Sequence, residues 1–123
     1  MLIYFSIIIG SSFGAISRHL VSKFLSNLNI LGIPLSILII NIVGSFLMGV
    51  IFQYSQQSDL NENIKLILTT GFLSSFTTFS AFSLEAYSLF NQNKIIEGML
   101  YIIASVLISL LFLYLGIFLI KQN

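Results

Sequence analysis

The stretch that decides the fold reads Thr69-Thr70-Gly71-Phe72-Leu73-Ser74-Ser75-Phe76-Thr77-Thr78-Phe79-Ser80-Ala81-Phe82-Ser83. It lies within a largely apolar segment running from about Ile64 to Phe90. That length makes it a transmembrane candidate, because about 20 apolar residues cross roughly 30 Å of hydrocarbon. Yet hydroxyl side chains recur all through it, where they compete for backbone groups, and Thr is β-branched. This predicts a helix broken near Ser74–Thr78, although a continuous helix with its hydroxyls bonded to the preceding turn also fits. Non-helical backbone at membrane depth is tolerated only where it is buried in protein or lines a cavity. Carbonyls freed at such a break suit a small hard cation such as Na⁺.

The whole chain points the same way. Of its 123 residues, five are Lys or Arg and four are Asp or Glu, so only 7% are charged, against about 25% in soluble domains. Apolar residues make up 57%, Phe fills 12 positions, and the mean hydropathy is +1.03. A soluble fold of this composition would expose large apolar patches and precipitate. A net charge of +1 gives no field to hold nucleic acid. There is no Cys and a single His, which removes disulfides, thiolate sites and any plausible nucleophile–base pair. The chain is expected to be a single all-α membrane domain, residues 1–123, and not an enzyme.

Three further spans are expected, at about Leu2–Leu25, Leu35–Tyr54 and Ile95–Ile120. Pro34 stands where the second helix can start. Polar connections fall at Ser26–Asn29, Gln53–Lys65 and Asn91–Lys94. No positive residue precedes the first apolar run, so it does not read as a signal peptide. With both termini on one side, Lys65 and Lys121 face Arg18, Lys23 and Lys94 across the membrane. Two cations against three is too even to set one orientation, and one economical use of both orientations is an antiparallel homodimer. No internal repeat is visible, so an inverted-repeat transporter in one chain is not supported. Four helices enclose little space, and a pathway needs a second copy.

The informative residues are the polar ones within the spans. Gly10, Gly14 and Arg18 share one face of the first span, as a small-xxx-small seam ending in a cation that is either an interfacial anchor or an attractor of anions. Asn41, Ser45 and Gly49 recur at i, i+4 and i+8 in the second, where the amide can join helices or donate to an anion. Phe76, Phe79 and Phe82 are spaced by three, and their stripe serves packing or presents positive ring edges to an anion. Glu85 follows at the same spacing. In the fourth span Tyr101, Ser105 and Ser109 make a track of hydroxyls. The middle of spans one, two and four holds no carboxylate, which favours an anion over a cation. His19 reads as interfacial and without a role.

Pro34-Leu-Ser-Ile-Leu-Ile-Ile-Asn41-Ile-Val-Gly44-Ser45-Phe, followed by Gly71-Phe-Leu-Ser-Ser-Phe-Thr-Thr-Phe79-Ser-Ala-Phe82, resembles the Fluc/CrcB fluoride channels, and Gly10-x-x-x-Gly14-Ala-x-x-Arg18 fits the same pattern. The resemblance covers all four spans in order. It implies an antiparallel, dual-topology homodimer of four-helix subunits in the inner (plasma) membrane, with two fluoride pores. Asn41 would donate to fluoride, and Phe79 and Phe82 would offer ring edges. Ser80, Tyr101, Ser105 and Ser109 would line the same pathway, with Arg18 in a vestibule and Glu85 near the pathway's end. A structural Na⁺ at the dimer centre would be held by main-chain carbonyls of Ser74 and Thr77. The family commonly has Gly-Gly where this chain has Ser74-Ser75, and a break requiring φ > 0 would strain a Ser. The implied function is passive efflux of fluoride that lowers its cytoplasmic level. The rival reading is a small four-helix, dual-topology multidrug transporter; such carriers use a Glu in the first span, and this chain has none there. A helix-bundle subunit that carries no ion is the third reading.

Overall fold

The apolar runs form helices in a computed structural model, which describes residues 1–122. Helix α1 spans Leu2–Phe24. A small antiparallel hairpin follows, β1 (Asn29–Ile30) with β2 (Ile33–Pro34), and leads into α2 (Ser36–Gln57). The third apolar segment is one interrupted rod: α3 (Glu62–Leu66), a π-helical stretch (Ile67–Leu73), α4 (Ser74–Phe76) and α5 (Phe79–Asn91). Helix α6 (Ile95–Lys121) completes the chain. Helices satisfy their own backbone groups, which hydrocarbon demands. Ser36–Gln57, Glu62–Asn91 and Ile95–Lys121 are long and apolar enough to cross a membrane. Helix α1 has comparable length, 23 residues, but Ser6, Ser11, Ser12, Arg18 and His19 dilute its hydropathy.

Two expectations about boundaries need correction. Pro34 does not start a helix: it pairs with Asn29 in the hairpin, and α2 begins at Ser36. The hairpin turns through Leu31 (φ 54°) and Gly32 (φ 81°), two consecutive left-handed residues that match the twist of a tight β-turn. The loop expected over Gln53–Lys65 shrinks to 58–61, because α2 continues to Gln57 and α3 starts at Glu62. The Asn61 side chain accepts from the Asn63 N–H at 2.9 Å, capping α3.

The break in the third segment falls at Thr77 (φ −78°, ψ 157°) and Thr78 (φ −153°, ψ 123°). Both are extended. Ser74 is helical, with φ −65°, so the backbone there never enters the left-handed region. Ser in place of Gly is therefore unstrained at Ser74 and Ser75.

Glycines set how closely the rods approach. A Cβ on Gly10 would lie 2.5 Å from the Ile67 carbonyl oxygen, and one on Gly14 would collide with the Phe72 carbonyl. Helix α1 thus packs backbone to backbone against the π-helical stretch, as a small-residue seam allows. Helices α2 and α6 meet the same way, with Gly49 against Leu113 and Gly116 against Phe46. The buried core is Ile37, Ile40, Phe76, Phe82, Ala86, Leu89 and Tyr101. Much of the remaining apolar surface faces outward, including Phe5, Phe13, Leu20, Tyr114 and Phe118.

Candidate anion pathway

The site is organised by the interruption at Thr77–Thr78. A helix continuing past Phe76 would aim the Thr78 N–H at the Ser74 carbonyl. Instead, that N–H donates to Asn41 Oδ1 at 2.9 Å, and Asn41 Nδ2 donates to the Thr78 carbonyl at 3.1 Å. The amide from α2 thereby replaces helix bonds that the extended backbone gives up. Thr78 then caps α5: its Oγ1 accepts from the Ala81 N–H at 3.2 Å and lies 3.2 Å from Ser80 Oγ. Gly44 leaves the space that the Thr77 methyl fills.

An open groove of about 420 Å³ runs between the break, α2 and α6. Asn41, Phe79, Phe82, Ser105 and Ser109 line it, together with Thr77, Thr78 and Ser45. Most of the expected anion-pathway residues therefore share one surface. Phe79 is 78% exposed and Phe82 only 9%; their ring centroids lie 5.3 Å apart at 49°. Phe82 also stacks on Tyr101 at 5.5 Å. Tyr101 is fully buried behind it and donates its hydroxyl to Glu85 Oε2 at 2.5 Å. Tyr101 thus joins the groove's aromatic wall to the only carboxylate within the third segment's later half.

Five hydroxyls elsewhere in these helices bond to a carbonyl of the preceding turn: Ser6 to Leu2, Ser12 to Ile8, Thr69 to Lys65, Thr77 to Leu73 and Ser83 to Phe79. Ser105 and Ser109 do not. Their Oγ atoms are buried and meet no partner in full hydrogen-bond geometry among the described residues, although Ser105 lies close enough to the Tyr101 hydroxyl to interact with it. A buried hydroxyl left without a hydrogen bond costs about 1–3 kcal/mol; both serines line the groove from one face of α6, with the chemistry to bond a ligand there. The second N–H of Asn41, beyond the one given to Thr78, is available beside them.

Ser80 and Arg18 lie elsewhere. They line a second cleft, of about 440 Å³, with His19, Ser22 and Thr78. Thr78 belongs to both clefts, so the break is the wall between them. Arg18 Nη1 reaches across to the Thr77 carbonyl at 3.5 Å. Sequence reasoning missed Thr78, the residue that clasps Asn41, caps α5 and separates the clefts; a Thr directly before a helical run is a capping signal that could have found it.

No cluster of His, Asp or Glu able to hold a metal occurs among the described residues, so a cation site would need main-chain oxygens. Ser74 and Thr77 fit that requirement. The N–H groups that would ordinarily take their carbonyls, those of Thr78 and Ala81, are held by Asn41 and by Thr78 Oγ1. The Thr77 carbonyl keeps a second lone pair beyond its long contact with Arg18.

Known proteins resemble this chain along most of its length. The family profile described as "CrcB-like protein, Camphor Resistance (CrcB)" matches residues 5–117. Among similar proteins, a "Fluoride-specific ion channel FluC" from Ruminiclostridium cellulolyticum is 43% identical over 108 residues, covering 87% of this chain and 83% of the relative. One from Hydrogenobaculum sp. is 38% identical over 117 residues, 94% of this chain and 95% of the relative. One from Shewanella halifaxensis is 38% identical over 108 residues, 88% and 87% of the two chains.

Proposed function

The chain belongs to the CrcB family of fluoride channels, and from that premise we propose that fluoride crosses the membrane along the groove at the Thr77–Thr78 break. It is a multi-pass membrane channel, not an enzyme or a drug carrier. It conducts fluoride passively down its gradient, as efflux that lowers cytoplasmic fluoride.

The observation that supports the pathway is the pair of buried hydroxyls, Ser105 and Ser109, neither in a full hydrogen bond, facing Phe82, Phe79 and Asn41 across one groove. Fluoride is strongly hydrated and enters protein only where other donors replace its water. Two hydroxyls and an amide N–H supply donors without a fixed positive charge. Phe79 and Phe82 add positive ring edges. Several weak sites in a row let an ion leave as readily as it binds. Tyr101 and Glu85 continue the line toward the end of α5, and Arg18 supplies a cation at the neighbouring vestibule.

The groove is open along one side, and Phe79 is 78% exposed on it. A second copy of the chain closes that side. The near-even division of Lys and Arg across the membrane supports an antiparallel, dual-topology homodimer in the inner membrane, with α1 as the fourth span of each subunit. Na⁺ at the centre would be held by the Ser74 and Thr77 carbonyls, where it would tie the two breaks together as a fixed structural charge.

The test is flux from liposomes holding the purified chain. Ser105→Ala with Ser109→Ala reduces fluoride flux at least tenfold while the dimer persists on size exclusion. Unchanged flux in that double variant refutes the pathway.

A further inference from the structure

Beyond the groove, Glu85 belongs to another cavity at the end of the bundle. This cleft, of about 440 Å³, lies between the hairpin and the α5–α6 turn and is lined by Ser26, Asn29, Glu85, Ser88, Gln92 and Lys94. Glu85 forms its link to the groove, because the same carboxylate accepts from Tyr101, whose ring stacks on Phe82. We propose that this cleft is an aqueous mouth of the fluoride pathway and that Lys94 is the residue that draws the anion into it. The inference rests on the pathway through Tyr101 and Glu85 stated above.

Three observations converge on Lys94. It makes no ion pair among the described residues, so its charge is not spent on a neighbour. Its ammonium lies over the hairpin tip, 3.4 Å from where a Cβ of Gly32 would sit, which holds it on the cleft rim. The helix end does not favour it either: Lys94 is the residue before α6, whose N-terminal end disfavours a cation. The reason for a cation there is the cleft itself. Glu85 alone would present a carboxylate to an arriving anion and repel it. Lys94 on the same cleft cancels that charge without touching it, so fluoride meets a neutral mouth furnished with donors. Ser88, Gln92 and Asn29 supply them, with Gln92 Nε2 already bonded to Ser88 Oγ at 3.1 Å.

Charge at a mouth acts on the local concentration of the permeant ion, and salt screens it. The Debye length falls from about 30 Å at about 0.01 M to about 3 Å at about 1 M. Initial fluoride efflux is measured from liposomes holding the purified full-length chain, at low internal fluoride and at both ionic strengths set with an impermeant salt. At low salt Lys94→Gln slows efflux about threefold to tenfold, Lys94→Glu slows it further and Lys94→Arg restores it. At high salt the four proteins converge. Two results overturn the proposal while leaving the pathway standing, each with Tyr101→Phe slow in parallel. One is Lys94→Gln matching the unsubstituted chain at both salts; the other is a loss that salt does not relieve and Arg does not rescue, which marks structural damage. If Tyr101→Phe is also as fast as the unsubstituted chain, the pathway through Glu85 falls together with its mouth.

Discussion

Asn41 and Thr78, 37 positions apart, hold each other through both groups of one amide: Thr78 N–H to Oδ1 at 2.9 Å, and Nδ2 to the Thr78 carbonyl at 3.1 Å. The helix break and the proposed pathway donor are thus one structure. The bond that keeps the backbone extended also fixes the direction in which the second amide N–H points. In the proposed pathway the residue that joins the two helices is also the positioned donor.

Replacing Asn41 tests both roles. Asn41→Ala leaves the Thr78 N–H and carbonyl without partners, at about 1–3 kcal/mol for each group. The expected result is a clearly lower thermal unfolding midpoint in detergent together with loss of fluoride flux. A fall in flux with an unchanged midpoint separates the donor from the clasp.

Removal of the Ser105 and Ser109 hydroxyls should have the opposite effect on stability. Both hydroxyls are buried, Ser109 without a partner and Ser105 with only an off-geometry approach to Tyr101, so Ala relieves a desolvated group and gains about 0.5 kcal/mol of helix propensity. Ser105→Ala and Ser109→Ala are expected to raise the unfolding midpoint, or hold it, while cutting fluoride flux. Calorimetry on the purified variants beside a flux assay reads both.

The two phenylalanines separate by burial. Phe82 packs on Tyr101 within the core, whereas Phe79 is largely exposed on the single subunit. Phe82→Ile is expected to cost about 1–2 kcal/mol of stability through lost packing volume. Phe79→Ile should cost little in the isolated subunit. Both should reduce fluoride flux severalfold with dimerisation intact. If both lower only stability, the ring stripe is packing.

Gly14→Ala tests the seam. Its Cβ would run into the Phe72 carbonyl, which belongs to backbone that cannot rotate away. A destabilisation of about 1–3 kcal/mol is expected, measured as reduced yield and a lower unfolding midpoint, with Ser17→Ala as a helix-one control.

Much of this was legible in the residues. The Ser/Thr string placed the break within a few positions, because hydroxyls offer the backbone alternatives to helix bonds. The i, i+4, i+8 spacing set Ser105 and Ser109 on one face. Which Thr would extend was not legible, since that depends on an Asn far away in sequence. The π-helical stretch Ile67–Leu73 was not legible for a similar reason: its residues have ordinary helix spacing, and its close contacts are with Gly10 and Gly14, far away in sequence. The resemblance implies Ser80 on the pathway, yet the wall at Thr78 puts it on the separate cleft that also holds Arg18, the residue expected in a vestibule. The hairpin's short strands carried too few residues for any period to register.

The central claim is that this chain alone passes fluoride through a path of hydroxyls, one amide and ring edges. The most direct measurement is ion efflux from liposomes containing only the purified protein, with fluoride and chloride compared at equal concentration. Fast fluoride efflux, independent of a proton gradient and with chloride efflux at the level of empty liposomes, is the predicted result. No fluoride efflux, or equal efflux of both ions, would contradict it.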